Sequence, residues 1–266
     1  MTDRASKTVL ITGSTDGLGE GLAVRLAADG HRVLVHGRNA DRVKAVAERV
    51  GAPDRGYVAD FSSLDAVRSL AEEVEQREQR LDILINNAAT ASRDRRISAE
   101  GYELAFTVNY LAHFLLTQRL LPLLERSSPA RIVNVSSVGQ APIDFDDIML
   151  ERKYSGVKAY SQSKIAQVMF TFDLKDRLPS GVTVNALHPA TLMDTKMVRE
   201  VFGKGRTTIE DGVKPTVRLA TDPSLERVSG LYFNRDREAR ADKQAYDAEA
   251  RQRLWALSEQ LTGTKF

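Results

Sequence analysis

Cysteine is missing from this chain of 266 residues, and histidine occurs only four times. Without cysteine the chain has no disulfide framework, no thiolate nucleophile and no cysteine-ligated zinc. The histidines include no pair at the spacing that holds a metal ion on a helix. We therefore expect no metal site, and in particular not that of a zinc-dependent alcohol dehydrogenase. The four are His31, His36, His113 and His188.

Long apolar runs are also missing. The most apolar stretch, Tyr110–Leu124, is interrupted by Gln118, Arg119 and Pro122, and it is shorter than the roughly 20 residues that cross a bilayer as a helix. Residues 1–7 are polar and lack the apolar segment of a signal peptide. We therefore expect a cytoplasmic protein with no integral membrane segment.

Charge of one sign is not in excess, since 38 Lys and Arg face 36 Asp and Glu, for a net charge of +2. This balance gives no general attraction to nucleic acid or to an anionic membrane. We therefore expect no nucleic-acid partner. The length is sufficient to bury one full hydrophobic core.

Short apolar runs alternate with longer segments of helical periodicity along the chain. This alternation predicts one α/β domain over residues 1–266, a Rossmann-type doubly wound parallel sheet of about seven strands with helices on both faces. The candidate strands are Thr8–Thr12, Arg32–His36, Gly56–Ala59, Leu81–Asn86, Arg131–Ser136, Val182–Leu187 and Leu231–Asn234. The candidate helices are Gly17–Asp29, Ala40–Val50, Leu64–Arg80, Gly101–Glu125, Ser155–Leu178 and Ile209–Ala220.

Two segments, 141–155 and 190–212, lie outside this alternation. Both follow strands at the carboxyl edge of the sheet, where ligands bind in open α/β folds. We expect both to cover the substrate, with Met193, Met197 and Phe202 forming an apolar wall. The alternative is that they are surface insertions without a function.

A glycine-rich turn joins the first strand to the first helix. Glycine there lets the backbone approach a pyrophosphate, and the helix N-terminus attracts the negative charge. The turn therefore predicts a dinucleotide site. Its residues are Gly13, Ser14, Thr15, Asp16, Gly17, Leu18 and Gly19.

Arg38 and Asn39 follow the second strand, where an NAD-binding protein has an acidic residue that holds the ribose. The planar guanidinium of Arg38 can clamp a 2′-phosphate, which favours NADP(H) over NAD(H). The alternative is a solvated arginine at a helix start. Asp60, after the third strand, is a candidate for the adenine amino group, for the cap of the next helix, or for both roles.

Tyr160 and Lys164 lie one helical turn apart on the same face of a helix. The ordinary pKa of a phenol is near ~10, and a cation at ~4 Å stabilises the phenolate by about 4 kcal/mol at an effective dielectric of ~20. We expect Lys164 to lower the pKa of Tyr160 towards neutrality. Together with a dinucleotide site, this pair indicates proton transfer coupled to hydride transfer.

Seven motifs in this order resemble those of the short-chain dehydrogenase/reductase family over nearly the whole chain. They are Thr12-Gly-x-x-x-Gly-x-Gly19, Asp60, Asn86-Asn-Ala-Ala89, Asn109, Ser136-Ser137, Tyr160-x-x-x-Lys164 and His188-Pro189. The long separation of Ser137 and Tyr160, the acidic segment Asp144–Asp147 and the ending Ala248–Gly263 resemble its retinol-dehydrogenase-like branch.

The resemblance implies a catalytic tetrad. Tyr160 would be the general acid or base, Lys164 would lower its pKa and bind the nicotinamide ribose, Ser137 would bind the substrate oxygen, and Asn109 would hold a water in a proton relay. From the residues alone, Ser136 competes with Ser137, and Asn109 could be a helix-interior amide bonded to backbone. Further cofactor contacts implied by the resemblance are Phe61, Asn87, Ala88, Ala89, Pro189, and Thr191 or Thr195.

Ala89 and Ala190 stand where the family has glycine. Each adds a methyl group near the expected cofactor, so an altered local backbone is expected. A C-terminal apolar stripe could serve oligomerisation or, as we favour, burial in the protomer's own core. Its residues are Leu254, Trp255, Leu257 and Leu261.

The implied function is that of an NADP(H)-dependent oxidoreductase, which interconverts an apolar aldehyde or ketone and its alcohol and acts as a homodimer or homotetramer. Two alternatives stay open. One is a non-catalytic NADP(H)-sensing regulator or scaffold, which the presence of both Tyr160 and Lys164 disfavours. The other is dehydration or epimerisation on the same scaffold.

Overall fold

Eight strands form one sheet in the computed structural model, which describes residues 6–266 except for the side chain of Phe202. The order is β3-β2-β1-β4-β5-β6-β7-β8, with β1 to β7 parallel and β8 antiparallel to β7. The strands are β1 Thr8–Ile11, β2 Arg32–Gly37, β3 Gly56–Val58, β4 Ile83–Asn86, β5 Ala130–Val135, β6 Val182–His188, β7 Leu231–Asn234 and β8 Arg237–Glu238.

Helices connect successive strands and cover both faces of the sheet, which confirms the predicted doubly wound α/β fold. They are α1 Gly17–Ala28, α2 Ala40–Arg49, α3 Leu64–Arg77, α4 Leu104–Phe106, α5 Ala112–Arg126, α6 Gly156–Leu174, α7 Lys196–Phe202, α8 Ile209–Thr221 and α9 Ala248–Thr262.

Two hydrophobic cores lie on opposite faces of the sheet, because successive side chains of a strand point in opposite directions. In β1, Leu10 packs into the core with α3, α5, α6 and α9, whereas Val9 and Ile11 pack into the core with α1, α2 and α8. Most of the parallel strands are apolar at successive positions for this reason.

The topology opens a crevice at the carboxyl end of β1. This strand pairs with β2 on one side and with β4 on the other, so the connections that leave β1 and β4 diverge. Such a switch point is where open α/β sheets bind ligands.

Three elements differ from the expectation. Helix α7 lies within residues 190–212, where no helix was predicted. The helix expected over Gly101–Glu125 starts at Leu104 and contains a π-helical turn, Thr107–Leu111, before α5. The two-residue strand β8 is too short to show any alternation of apolar and polar residues.

The C-terminal stripe packs in part within the protomer, the alternative we favoured, while Leu257 and Leu261 are half-buried. Leu254 and Trp255 are buried, and the Trp255 ring lies 5.2 Å from that of Phe114 and 5.9 Å from that of Phe170, centroid to centroid. Over residues 6–266, no helix is both long and apolar enough to cross a membrane.

Candidate active site

A cleft of about 760 Å³ lies at the carboxyl ends of the central strands. The glycine-rich turn, the ends of β2 and β3 and the loop after β4 form one part of its lining. The end of β5, one face of α6 and residues 188–200 form the rest. Most of the predicted site residues therefore meet in one place.

The glycine turn leaves no room for side chains. Gly13 and Gly17 have φ angles of +65° and +55°, which favour glycine. A Cβ on Gly13 would lie 2.8 Å from Ala88 Cα, and one on Gly19 would collide with the Gly13 carbonyl oxygen. The turn is thus a backbone cradle at the start of α1, as a pyrophosphate site requires.

Thr12 and Asn87 hold this turn against the loop after β4. The Thr12 hydroxyl oxygen accepts from the backbone N–H groups of Asn87 and Ala88, each at 2.9 Å. The Asn87 side-chain amide donates to the Thr12 carbonyl at 2.8 Å. Asn87 and Ala88 therefore line the cleft and also fix the shape of the turn.

Ser14 differs from its neighbours in the turn. Its side chain is fully buried and accepts from His36 N–H at 2.9 Å, and it does not line the cleft, whereas Thr15, Asp16, Gly17 and Leu18 do. The Ser14 hydroxyl is thus occupied by β2.

A second cavity of about 230 Å³ adjoins the cleft beside Arg38. It is lined by Thr15, Arg38, Asn39, Arg42 and Lys196. Asn39 caps α2 by accepting from Arg42 N–H at 2.9 Å. Three of these residues are cations, of which the sequence analysis predicted Arg38 but not Arg42 or Lys196. Arg42 follows Arg38 by one helical turn, which could have been noticed, whereas Lys196 comes from a distant segment with no local signal.

Asp60 and Phe61 follow β3 and also line the cleft. One Asp60 carboxylate oxygen accepts from Ser62 N–H at 2.9 Å, but Ser63 is the residue that caps α3. The proposed capping role of Asp60 is therefore wrong. The Phe61 ring packs against His36, with 4.5 Å between the ring centroids.

Ser137 and Ser136 face different ways. The Ser137 hydroxyl is hydrogen-bonded to the Tyr160 side chain and accepts from Gly139 N–H at 2.9 Å. The buried Ser136 hydroxyl donates to the Lys164 carbonyl at 2.7 Å. Ser137 is therefore the serine that contacts Tyr160 within the cleft.

Lys164 lies under the Tyr160 ring, with Nζ 5.6 Å from the ring centroid. The pKa of Lys164 is lowered to about 7 by burial. Burial also raises the pKa of Tyr160, and only the hydrogen bond from Ser137 opposes this. The direction is opposite to our expectation, because the cost of a buried phenolate exceeds the stabilisation that its neighbours provide.

Asn109 lies in the π-helical turn and is fully buried. Its side chain accepts from Thr90 N–H at 2.7 Å and donates to the Thr90 carbonyl at 3.0 Å and to Ser163 Oγ at 2.9 Å. The side chain thus anchors the loop after β4, as in the alternative of an amide bonded to backbone.

Residues 188–200 form a wall of the cleft that contacts the glycine turn. The hydroxyl of Thr191 lies 3.0 Å from His188 Nε2, and that of Thr195 caps α7. A Cβ on Gly17 would lie 2.9 Å from Thr195 Cγ2, so Thr195 is packed on the turn. Pro189 also lines this wall.

The alanines at positions 89 and 190 do not force an unusual backbone. Among the described non-glycine residues, positive φ angles occur at Leu150, Leu192 and Arg235. Neither Ala89 nor Ala190 is among them, so neither has the positive φ angle that glycine would favour. Both alanines line the cleft.

Residues 141–155, which we expected to cover the substrate, do not line the cleft. The side-chain amide of Gln162 in α6 bonds this segment through both its oxygen and its nitrogen. The oxygen accepts from Asp144 N–H at 3.1 Å, and the nitrogen donates to the Ile148 carbonyl at 3.0 Å. Ile143 is buried in the core. The segment packs beside α6 because its apolar residues have partners there.

Apolar side chains form much of the remaining lining of the cleft. Three of them are exposed: Val157 at 60%, Ile97 at 58% and Val138 at 49%. Sequence reasoning found only Met193 and Met197 of this set, and the side chain of Phe202 lies outside the description. The other members of the set are Leu104 and Val108.

Comparison with known proteins supports what this geometry indicates. Residues 7–205 match the family model for short chain dehydrogenases. The chain belongs to that family. It is 37% identical to retinol dehydrogenase 13 of Mus musculus, over 97% of this chain and 84% of the relative. It is therefore a retinol-dehydrogenase-like oxidoreductase that acts on CH–OH groups with a nicotinamide cofactor.

Solved structures agree with this membership. A crystal structure of an uncharacterized Mycobacterium paratuberculosis protein has a TM-score of 0.83 and 30% identity, covering 98% of this chain and 95% of that one. The NADP complex of Pseudomonas aeruginosa RhlG has a TM-score of 0.72 and 27% identity, covering 87% and 95%.

Proposed function

We propose that this short-chain dehydrogenase interconverts an apolar aldehyde or ketone and its alcohol with NADP(H). The observation that carries the proposal is the hydrogen-bonded pair Ser137–Tyr160 in the cleft. The glycine turn and several apolar side chains line the same cleft as this pair. A substrate whose oxygen binds the pair would therefore share one cleft with the dinucleotide, and its apolar part could contact the apolar side chains there.

The two hydroxyls have separate tasks in this proposal. The bound nicotinamide would supply or accept the hydride. Ser137 would hydrogen-bond the substrate oxygen and stabilise the negative charge that develops there during reduction. Tyr160 would deliver the proton, or remove it in the oxidative direction. The raised pKa keeps the phenol protonated at neutral pH, which is the form that reduction needs.

The preference for NADP(H) is proposed from the cations around the smaller cavity. Arg38, Arg42 and Lys196 surround it, and its lining contains no carboxylate. A 2′-phosphate there would replace repulsion among three cations by charge-assisted hydrogen bonds. Arg42 also lies 3.7 Å from Asp16, and Lys196 lies 3.8 Å from Glu200. These carboxylates would compete with a phosphate for Arg42 and Lys196 more than for Arg38.

An apolar substrate is proposed from the exposed apolar side chains that line the cleft. Exposed apolar groups such as Ile97 and Val157 lose contact with water when an apolar molecule covers them, which stabilises the complex by about 25 cal/mol per Å². The name of retinol dehydrogenase 13, an enzyme for an apolar alcohol, agrees with this proposal.

The test is NADPH oxidation over a panel of aliphatic and aromatic aldehydes, ketones and quinones, with NADH and Tyr160→Phe in parallel. We expect turnover that prefers NADPH and falls by several orders of magnitude in Tyr160→Phe, while NADPH binding persists. Equal turnover in Tyr160→Phe would remove the proposed proton donor. NADPH binding without turnover of any compound would favour the alternative of an NADP(H) sensor.

Several assignments stay predictions from the sequence. They include one domain over residues 1–266, contact of Asp60 with adenine, a carboxamide contact of Thr191 or Thr195, and a water held by Asn109. A homodimer or homotetramer in the cytoplasm is likewise a prediction, which light scattering and fractionation of cells would test.

A further inference from the structure

Two protein acceptors hold the buried ammonium group of Lys164, a residue only 2% exposed. Lys164 Nζ donates to the Val135 carbonyl at 2.8 Å and to Gln167 Oε1 at 2.9 Å. An ammonium has three N–H bonds. Two are therefore directed by the protein, and the third is left for a group in the cleft.

The orientation of the Gln167 amide follows from Lys164, whose ammonium needs an acceptor. The amide oxygen faces Lys164, and the amide nitrogen lies 3.4 Å from His113 Nδ1 without a hydrogen bond, because Nδ1 carries a proton. The reverse orientation would place an NH₂ group against the ammonium and leave that N–H without an acceptor. Gln167 is 1% exposed, so water cannot replace it easily.

His113 supports this arrangement as a neutral side chain. Its Nδ1 lies 3.0 Å from the Asn109 carbonyl, which can only accept, so Nδ1 carries the proton. Its Nε2, 3.0 Å from Thr12 Oγ1, is then the acceptor. Burial, together with the positive charge of Lys164, lowers the pKa of His113 to about 3. His113 therefore adds no positive charge next to Gln167.

We propose that Gln167 is a positioning residue that directs the Lys164 ammonium and keeps it protonated beneath Tyr160. Gln167 acts through Lys164 and does not touch the substrate. The proposal rests on the proposed function, in which Tyr160, whose ring lies over Lys164, transfers the proton. It adds a residue of α6, one turn beyond the Tyr160–Lys164 pair, to the machinery of proton transfer.

The hydrogen bond from Lys164 to Gln167 is important near neutral pH because of the groups that surround the ammonium. Tyr160 on α6 and His113 on α5 are the titratable side chains that face Lys164, while β5 and the π-helical turn contribute uncharged groups in the described structure. Burial lowers the pKa of Lys164 to about 7. A lost acceptor lowers the pKa further, and a carboxylate in its place raises it.

The direct test follows the Cε chemical shift of Lys164 against pH in protein labelled with ¹³C-lysine. The signal is assigned by its loss in Lys164→Arg. Relative to the unsubstituted protein, we expect the titration midpoint to fall by about one pH unit in Gln167→Met and to rise in Gln167→Glu. Equal midpoints, or a shift in the same direction in both variants, would overturn the proposal.

Gln162→Met is the matched control. Gln162 is also buried on α6 with both ends of its amide bonded, but its partners are backbone groups of residues 144 and 148. We expect this variant to leave the Lys164 midpoint unchanged. A shift as large as that in Gln167→Met would mean general loosening of α6 and would also contradict the proposal.

A second measurement connects the positioning role to turnover. The pH profile of NADPH oxidation with octanal should move by the same amount and in the same direction as the Lys164 midpoint, with KM little changed. A loss of rate without a shift of the profile would contradict the proposal. If no carbonyl compound is turned over, the proposed function fails, and the chemical shift titration still decides the role of Gln167.

Discussion

At Ser137 one hydroxyl group has three possible partners. It accepts from Gly139 N–H and bonds the Tyr160 side chain, and in the proposed reaction it also binds the substrate oxygen. Ser137→Ala should lower kcat by roughly 10²–10³-fold, the usual effect of losing one such donor. The affinity for NADPH should be nearly unchanged, because Asn87, Thr12 and the glycine turn hold the cradle.

Ser137→Thr provides the control for this prediction, since it keeps a hydroxyl at the same position. Stopped-flow or steady-state rates of the three proteins would be compared at saturating NADPH. Recovery of a large part of kcat in Ser137→Thr is expected. If Ser137→Ala keeps full kcat, the substrate oxygen lies elsewhere in the cleft.

Arg38 provides a second test at the scale of single residues. Arg38→Asp should weaken NADPH binding by about 10–100-fold, the loss of a charge-assisted hydrogen bond, and should affect NADH far less. Lys44→Asp makes the same change of charge on an exposed residue of α2 outside both cavities. Quenching of protein fluorescence measures both affinities, and an unchanged preference in Arg38→Asp would place the phosphate elsewhere.

At the scale of elements, the glycine turn depends on space at the start of α1. A Cβ on Gly19 would lie 2.6 Å from Asn87 Nδ2 as well as colliding with Gly13. Gly19→Ala should therefore cost about 1–3 kcal/mol of unfolding free energy and abolish tight NADPH binding. Gly21→Ala crowds Ile209 and Val213 instead, so it should lose stability but keep its affinity. Urea unfolding and fluorescence titration separate the two effects, and equal NADPH affinities in the two variants would contradict the role of the turn.

The elements that could be predicted are those encoded by local patterns. The seven parallel strands were predicted within two residues at either end because most are continuous apolar runs bounded by polar residues or glycine. The glycine turn and the Tyr160–Lys164 pair are likewise short-range patterns. The π-helical turn depends on Asn109 reaching Thr90, a contact between segments that no local periodicity shows.

Long-range placement explains the other misses. No local sequence pattern shows that residues 141–155 bond to Gln162. In the same way, no local pattern shows that α7 brings Lys196 to the cavity beside Arg38. The pKa of Tyr160 was misjudged because helical spacing gives the distance to a cation but not the cost of burial. That cost depends on the walls that other segments build.

At the scale of the whole molecule, the stability of the fold at acid pH depends on three neutral histidines that bond residues at the cleft. His36 Nδ1 accepts from Gly13 N–H at 3.1 Å, His113 binds Thr12, and His188 binds Thr191. Burial lowers the pKa of His36 and His188 to about 4 and that of His113 to about 3. Protonation of His36 would replace its acceptor by an N–H facing the N–H of Gly13, so acid should loosen the turn itself.

The sign of the pH dependence follows from proton linkage. Each of these pKa values is lower in the folded protein than the ordinary value near 6.5, so the unfolded chain binds protons first as the pH falls. The stability that the three neutral histidines contribute is complete above pH ~6.5. It is lost between about pH 6.5 and 4 for His36 and His188 and down to about pH 3 for His113, at up to ~1.4 kcal/mol per pH unit for each histidine. Urea unfolding at pH 7.5, 6 and 5 should show this loss, and His188→Asn should reduce its slope by about a third, since it removes one of three similar groups. A free energy of unfolding that stays constant from pH 7.5 to 5 would show that these histidines are not held neutral, and the Gly13 N–H would then need another acceptor.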